Sequence, residues 1–131
     1  MEDRVTYAVT SVVGKENNMD EARNVKVEIA GKKATVRFLG DENLTTALTL
    51  TAYQGDVVKV LEALQPIKEL QDIGVAIQTA FVDTYGNESV DDAVRLFITR
   101  EELDKIKFDN FNANNIDKLA YNYYVHPGML K

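Results

Sequence analysis

The spacing of hydrophobic positions changes repeatedly along this chain, and each change marks an element. In EDRVTYAVTSVV, Val5, Ala8, Val9 and Val12 recur at the spacing of one helical face, and Gly14 is a natural stop. ENNMDEARN is a polar loop. The period then becomes two: Val25, Val27 and Ile29 alternate with charged residues, Gly31 turns the chain, and Ala34, Val36 and Phe38 alternate again. That pattern predicts a β-hairpin with one wet and one buried face. Helical spacing returns in GDENLTTALTLTAYQGDVVKVLEALQPIKEL, where Leu44, Leu48, Ala52, Val58, Leu61 and Leu64 mark an apolar stripe. Asp41 or Asn43 is the candidate cap, Gly55 invites a kink or a tight contact, and Pro66 ends the regular helix.

A second hairpin is predicted from Val75, Ile77, Thr79 and Phe81, a long polar connection DTYGNESVDD, and a return through Val94, Leu96 and Ile98. TREE then offers a capping box, with Thr99 as N-cap and Glu102 behind it, opening a short helix to about Lys107. FDNFNANN interrupts it. NIDKLAYNYY predicts a last helix with Ile116, Leu119, Ala120 and Tyr123 along one face, stopped by Pro127. The expected order is α-β-β-α-β-β-α-α. It folds as one α+β domain over residues 1–131, with two layers and an antiparallel four-stranded sheet of two hairpins carrying helices on one face.

Composition narrows the functions. With 131 residues, 45% of them hydrophobic, the chain has enough material for one core without covalent staples. A net charge of -6 argues against a nucleic-acid partner, whose backbone is neutralised by clustered Lys and Arg. The absence of cysteine removes disulfides, thiol catalysis and thiolate metal sites. No apolar run approaches the ~20 residues that span a bilayer, and the amino terminus lacks a basic-then-apolar leader.

Candidate chemistry is sparse. His126, the single histidine, precedes a proline and has no orienting carboxylate or nucleophile at a local spacing, so it reads as a capping residue rather than a base. Asp83, Asn87, Glu88, Asp91 and Asp92 invite a calcium reading, but a calcium loop needs an oxygen ligand at position 3 and Gly at position 6. Here position 3 is Tyr85 and the glycine, Gly86, comes at position 4, and Asp, Asn and Gly are also what a turn requires. Phosphate-loop motifs are absent, and no metal or cofactor is expected. NLT at Asn43 and NES at Asn87 match the glycosylation pattern, which matters only in a eukaryotic secretory setting.

The aromatics carry the remaining signal. Tyr123 is expected inward, with Phe108 and Phe111 filling the core beneath, while Tyr121 and Tyr124 share another face. Tyrosine offers broad contact area with a polar tip, so Tyr121, Tyr124 and His126 form the candidate binding surface.

ITREELDKIKFDNFNANNIDKLAYNYYVHPGML, with FVDTYGNE upstream and the opening RV…AV…VVG helix, resembles the C-terminal domain of small Gram-positive bacterial and phage-borne proteins. These are exported lipoproteins or membrane-anchored chains of unknown function. The resemblance spans about Arg4 to Gly128 and brings no catalytic residues. It implies a domain outside the membrane, attached through an N-terminal segment that this sequence does not contain; a cytoplasmic location is the alternative. The expected function is a non-enzymatic binding or accessory module for a protein or cell-envelope component. The alternatives are a small carboxylate-dependent hydrolase of envelope glycan, marked by a carboxyl of raised pKa in a cleft, and a self-associating structural domain.

Overall fold

A computed structural model describes residues 1–43 and 45–130. Leu44, which the apolar stripe of the second helix included, lies outside the described residues. The elements are α1 (Glu2–Val13), β1 (Lys26–Ala30), β2 (Lys33–Leu39), α2 (Thr46–Leu64), β3 (Asp72–Val82), β4 (Glu88–Thr99), α3 (Arg100–Lys105), α4 (Ile116–Leu119) and β5 (Tyr121–Val125), with short 3-10 turns at 108–110, 113–115 and 127–129. The class is α+β, as the sequence predicts, but the sheet is five-stranded and mixed, in the order β1-β2-β3-β4-β5.

Two departures from the expected sheet have physical causes. First, β2 and β3 pair in parallel, from Lys33↔Asp72 to Leu39↔Gln78. Helix α2 carries the chain back along the sheet, so β3 starts where β2 started and runs the same way, as a crossover connection requires. The two hairpins are therefore joined side by side through a parallel seam. Second, the predicted last helix stops after one turn. Ala120 is extended, and Tyr121–Val125 pairs antiparallel with β4 as an edge strand. Tyr, Tyr and Val are strand formers, and no apolar partner at helical spacing follows Tyr123 to hold another turn.

Strand alternation decides the two faces. Val27, Ala34, Val36, Phe38, Ile73, Val75, Ile77, Val94, Leu96 and Ile98 are buried together with Val5 and Val9 of α1 and Tyr53, Val57, Val60, Leu61 and Leu64 of α2. Helix α1 packs on α2 and β1, and α2 on β3 and β4, so both lie on this inner face. The buried stripe of α2 is offset from the expected one: Thr49, Tyr53 and Val57 face inward while Leu48 is exposed. The cap is Thr45, whose side chain accepts from the Leu48 amide at 3.1 Å, rather than Asp41 or Asn43. At the other helix, Thr99 caps α3 as the TREE motif predicts, though α3 ends at Lys105.

Arg23 ties the long 14–24 loop to this framework. Its guanidinium donates from Nε and Nη2 to the Val13 carbonyl and from Nη1 to that of Leu39, and it pairs with Asp41 at 3.1 Å. Asp56 of α2 lies in the same neighbourhood. Burial raises its carboxyl pKa, and Lys59, 3.9 Å away, offsets this only in part. A carboxyl whose folded pKa exceeds its unfolded value of ~3.9 favours the fold below that value and loses this contribution as pH rises through the folded pKa. Asp56→Asn is therefore expected to raise the thermal midpoint at pH 7. The gain should shrink as pH falls and level off below ~3, where the wild-type carboxyl is protonated in both states. A gain that is constant with pH would remove charge burial as the cause.

Candidate functional site

Among the described residues no helix layer covers the outer face, and its side chains come from the alternate strand positions. Across the middle of the sheet the floor is small: Gly74 and Ala76 of β3. Their neighbours can then lie flat. A Cβ on Gly74 would fall 2.5 Å from the Phe97 ring, so that ring rests directly on the glycine backbone. Lys33 Nζ lies 4.4 Å above the same ring, and Tyr121 stacks beside it at 5.7 Å between centroids. The Tyr121 hydroxyl donates to Asp72 Oδ1 at 2.9 Å. Burial raises the Tyr121 pKa and the bond to the Asp72 carboxylate raises it further, so the phenol stays a neutral donor.

Two irregularities in strand pairing build the rest of the site. Between β3 and β4, Ile77 faces Val94 but Gln78 faces Asp92, which leaves Ala93 as an extra residue. Between β4 and β5, Arg95 faces Tyr124 and Phe97 faces Tyr121, so three steps on β5 match two on β4, with Asn122 at φ 52°. Each irregularity shifts the alternation by one. Asp92 and Arg95 thereby share the outer face although they are three apart, and so do Tyr121 and Tyr124. Bulges of this kind re-aim side chains and occur often beside functional sites. The sequence expectation that Tyr121 and Tyr124 share a face while Tyr123 points inward describes the outcome, but a bulged strand rather than a helix produces it. Tyr123 turns to the helix side, where its hydroxyl accepts from Gln54 at 3.0 Å. Phe108 and Phe111 are half-buried against the core edge in a T-shaped pair.

Asp92 is the centre of an open cavity of about 690 Å³ lined by Arg37, Gln78, Val90, Asp91, Arg95, Tyr124 and His126 as well. Arg37 grips it with two parallel bonds, Nε to Oδ1 at 3.0 Å and Nη2 to Oδ2 at 3.2 Å. Arg95 adds Nη1 to Oδ2 at 2.9 Å, and Gln78 adds Nε2 to Oδ1 at 3.3 Å. Burial alone would raise the Asp92 pKa, but the bonds from Arg37 and Arg95 outweigh it and hold the carboxyl below the usual range. Asp92 is thus an ionised anchor and no proton donor at neutral pH. Arg95 in turn lies 4.6 Å over the Tyr124 ring.

His126 stands at the cavity rim, stacked on Phe81 at 3.8 Å between centroids. Its Nδ1 accepts the Gly128 amide at 2.9 Å, which is the capping geometry expected for it. Of the predicted surface residues, Tyr124 and His126 line the cavity, and Tyr121 occupies the adjoining row of the same sheet face.

Sequence reasoning missed Arg37 and Arg95 and places Asp92 only in an acidic connection. The available signal was the break in alternation at Ala93 and Val94, two apolar neighbours where one was due. The connection is shorter than the predicted DTYGNESVDD, because β3 and β4 pair out to Val82↔Glu88. At its tip the Asp83 carboxylate accepts the Tyr85 and Asn87 amides, both at 2.9 Å, and Gly86 takes φ 83°. Those acidic and amide groups serve the turn itself. Among the described residues, no cluster of three His, Asp or Glu side chains is arranged to hold a metal ion, and no helix is long and apolar enough to cross a membrane. No protein-family model, curated protein or solved structure matches the chain.

Proposed function

We propose that this chain is a non-enzymatic binding or accessory module that engages a protein or cell-envelope component outside the membrane. The observation that carries this reading is the alignment of Tyr121, Tyr124 and the His126 rim on a helix-free sheet face beside the Arg37–Asp92–Arg95 cavity. Aromatic rings and arginines on small-residue floors are the side chains that dominate recognition surfaces. The location outside the membrane draws on the resemblance of the Ile98–Leu130 stretch to exported Gram-positive proteins. A hydrolase reading gains nothing from Asp92, whose lone pairs are occupied. The carboxyl raised by burial, Asp56, sits on α2 against the other face of the sheet.

The test is capture from separated envelope and cytosolic fractions of a Gram-positive host, using immobilised protein and a Tyr121→Ala/Tyr124→Ala variant verified as folded by circular dichroism. A partner retained from the envelope fraction and lost with the variant is the expected result. Undiminished capture by the folded variant would place the binding face elsewhere.

A further inference from the structure

The cavity around Asp92 has more donors than the protein uses. A carboxylate offers about four lone-pair positions, and the bonds from Arg37, Gln78 and Arg95 fill them. Two guanidinium groups therefore share one saturated carboxylate, and with Asp91 on the rim the lining carries two arginines and two aspartates. Among the described residues, none accepts from Arg37 Nη1, from Arg95 Nε or Nη2, or from the Tyr124 hydroxyl. His126 adds one more donor. Its Nδ1 lone pair is committed to the Gly128 amide, so the neutral ring carries its proton on Nε2, which has no partner among the described residues.

The walls limit what fits. Val90, the Tyr124 ring and the Phe81-stacked His126 ring give an apolar and aromatic flank. Asp91 stands on the rim with its carboxylate, held by the Ser89 hydroxyl at 2.8 Å. Asp91 and, toward Arg37, Glu28 balance the arginine pair, so a doubly charged occupant is disfavoured and recognition rests on the free N–H groups rather than on net charge. Arginine forks also match planar carboxylate oxygens better than isolated point charges do. We propose that this cavity binds the carboxylate of a small organic monoanion, its oxygens taken by the free N–H groups of Arg37 and Arg95 and its body lying against Tyr124 and Val90. The inference rests on the reading of the outer sheet face as the binding face and adds the chemistry of the occupant.

The experiment is a titration of the isotope-labelled chain, following the arginine side-chain N–H and His126 ring resonances. The probes are benzoate, its neutral near-isostere benzamide, and inorganic phosphate. Benzoate should shift the Arg95 and His126 signals saturably, with a dissociation constant on the order of millimolar for so small a ligand. Benzamide and phosphate should bind about tenfold more weakly or not at all. Arg95→Lys keeps a charge beside Asp92 but lacks the fork, so it should weaken benzoate roughly fivefold while the fold persists. Absence of a saturable shift, or benzamide binding equal to benzoate, would overturn the carboxylate site, as would unchanged affinity in the folded Arg95→Lys protein. Partner capture fails or succeeds separately. Capture lost with the tyrosine variant but no benzoate binding removes the carboxylate site alone, and benzoate binding with capture intact in that variant removes the proposed partner face alone.

Discussion

Asp92→Asn is expected to lower the unfolding free energy by about 2–3 kcal/mol. Removing one member of a buried ion pair typically costs 3–5 kcal/mol because the remaining charge is left unpaired. Here two charges remain, but the Arg37 and Arg95 side chains are 31% and 39% exposed, so water takes up part of the loss. Asp92 itself, 10% exposed, has no such access. The effect should also depend on pH in a definite sense. A carboxyl whose folded pKa lies below the unfolded ~3.9 contributes stability above that value and loses it as pH falls through the folded pKa. Urea unfolding of wild type and variant should therefore differ most near neutrality and converge in acid. A difference that persists undiminished at low pH would mean that packing, not charge, holds the cluster.

Gly40→Ala is expected to cost a comparable amount, about 2–3 kcal/mol, for a purely steric reason. Gly40 follows β2 with its amide bonded to the Gln78 carbonyl at 2.8 Å. A Cβ there would meet Tyr53 Cε1 at 2.5 Å and Ile77 Cγ2 at 2.7 Å. Neither neighbour can give way easily: both are fully buried, and the Tyr53 hydroxyl is fixed to the Asp41 carbonyl at 2.6 Å. Combining Gly40→Ala with Tyr53→Leu removes the ring that causes the clash. The double variant should then lose clearly less than the sum of the two single changes in urea denaturation. Strict additivity would show that the close approach is not what makes alanine costly.

The contrast between these two positions explains what was legible in the sequence. Alternation in Val27, Ile29, Ala34, Val36 and Phe38 gave β1 and β2, and the Thr99–Glu102 motif gave the start of α3. Those signals are local, and local spacing controls them. Whether β2 meets β3 in parallel is a property of where α2 delivers the chain, and a period of two is the same in either direction. The strand at Tyr121–Val125 is hidden in the sequence because Ile116, Leu119, Ala120 and Tyr123 also satisfy helical spacing. The Arg37–Asp92–Arg95 cluster was hidden for a different reason. Its members lie on two strands, and one bulge moves Asp92 to a face that simple alternation denies it. The tyrosines were visible as a class of residue; their shared orientation was visible only by a coincidence of helical spacing with a bulged strand.

The parallel seam between β2 and β3 also sets the order in which this chain can assemble. The β3–β4 hairpin closes a five-residue tip and needs no other element. Joining β2 to β3 instead requires the intervening helix to be in place, and such a distant closure is entropically the slower event. Arg37 reaches Asp92 across 55 positions of sequence and only through that seam. The cavity around Asp92 is therefore expected to form after the β3–β4 hairpin. Binding of the proposed carboxylate is then expected to report on completed folding, and a partly folded chain should fail to hold it however much helix it shows.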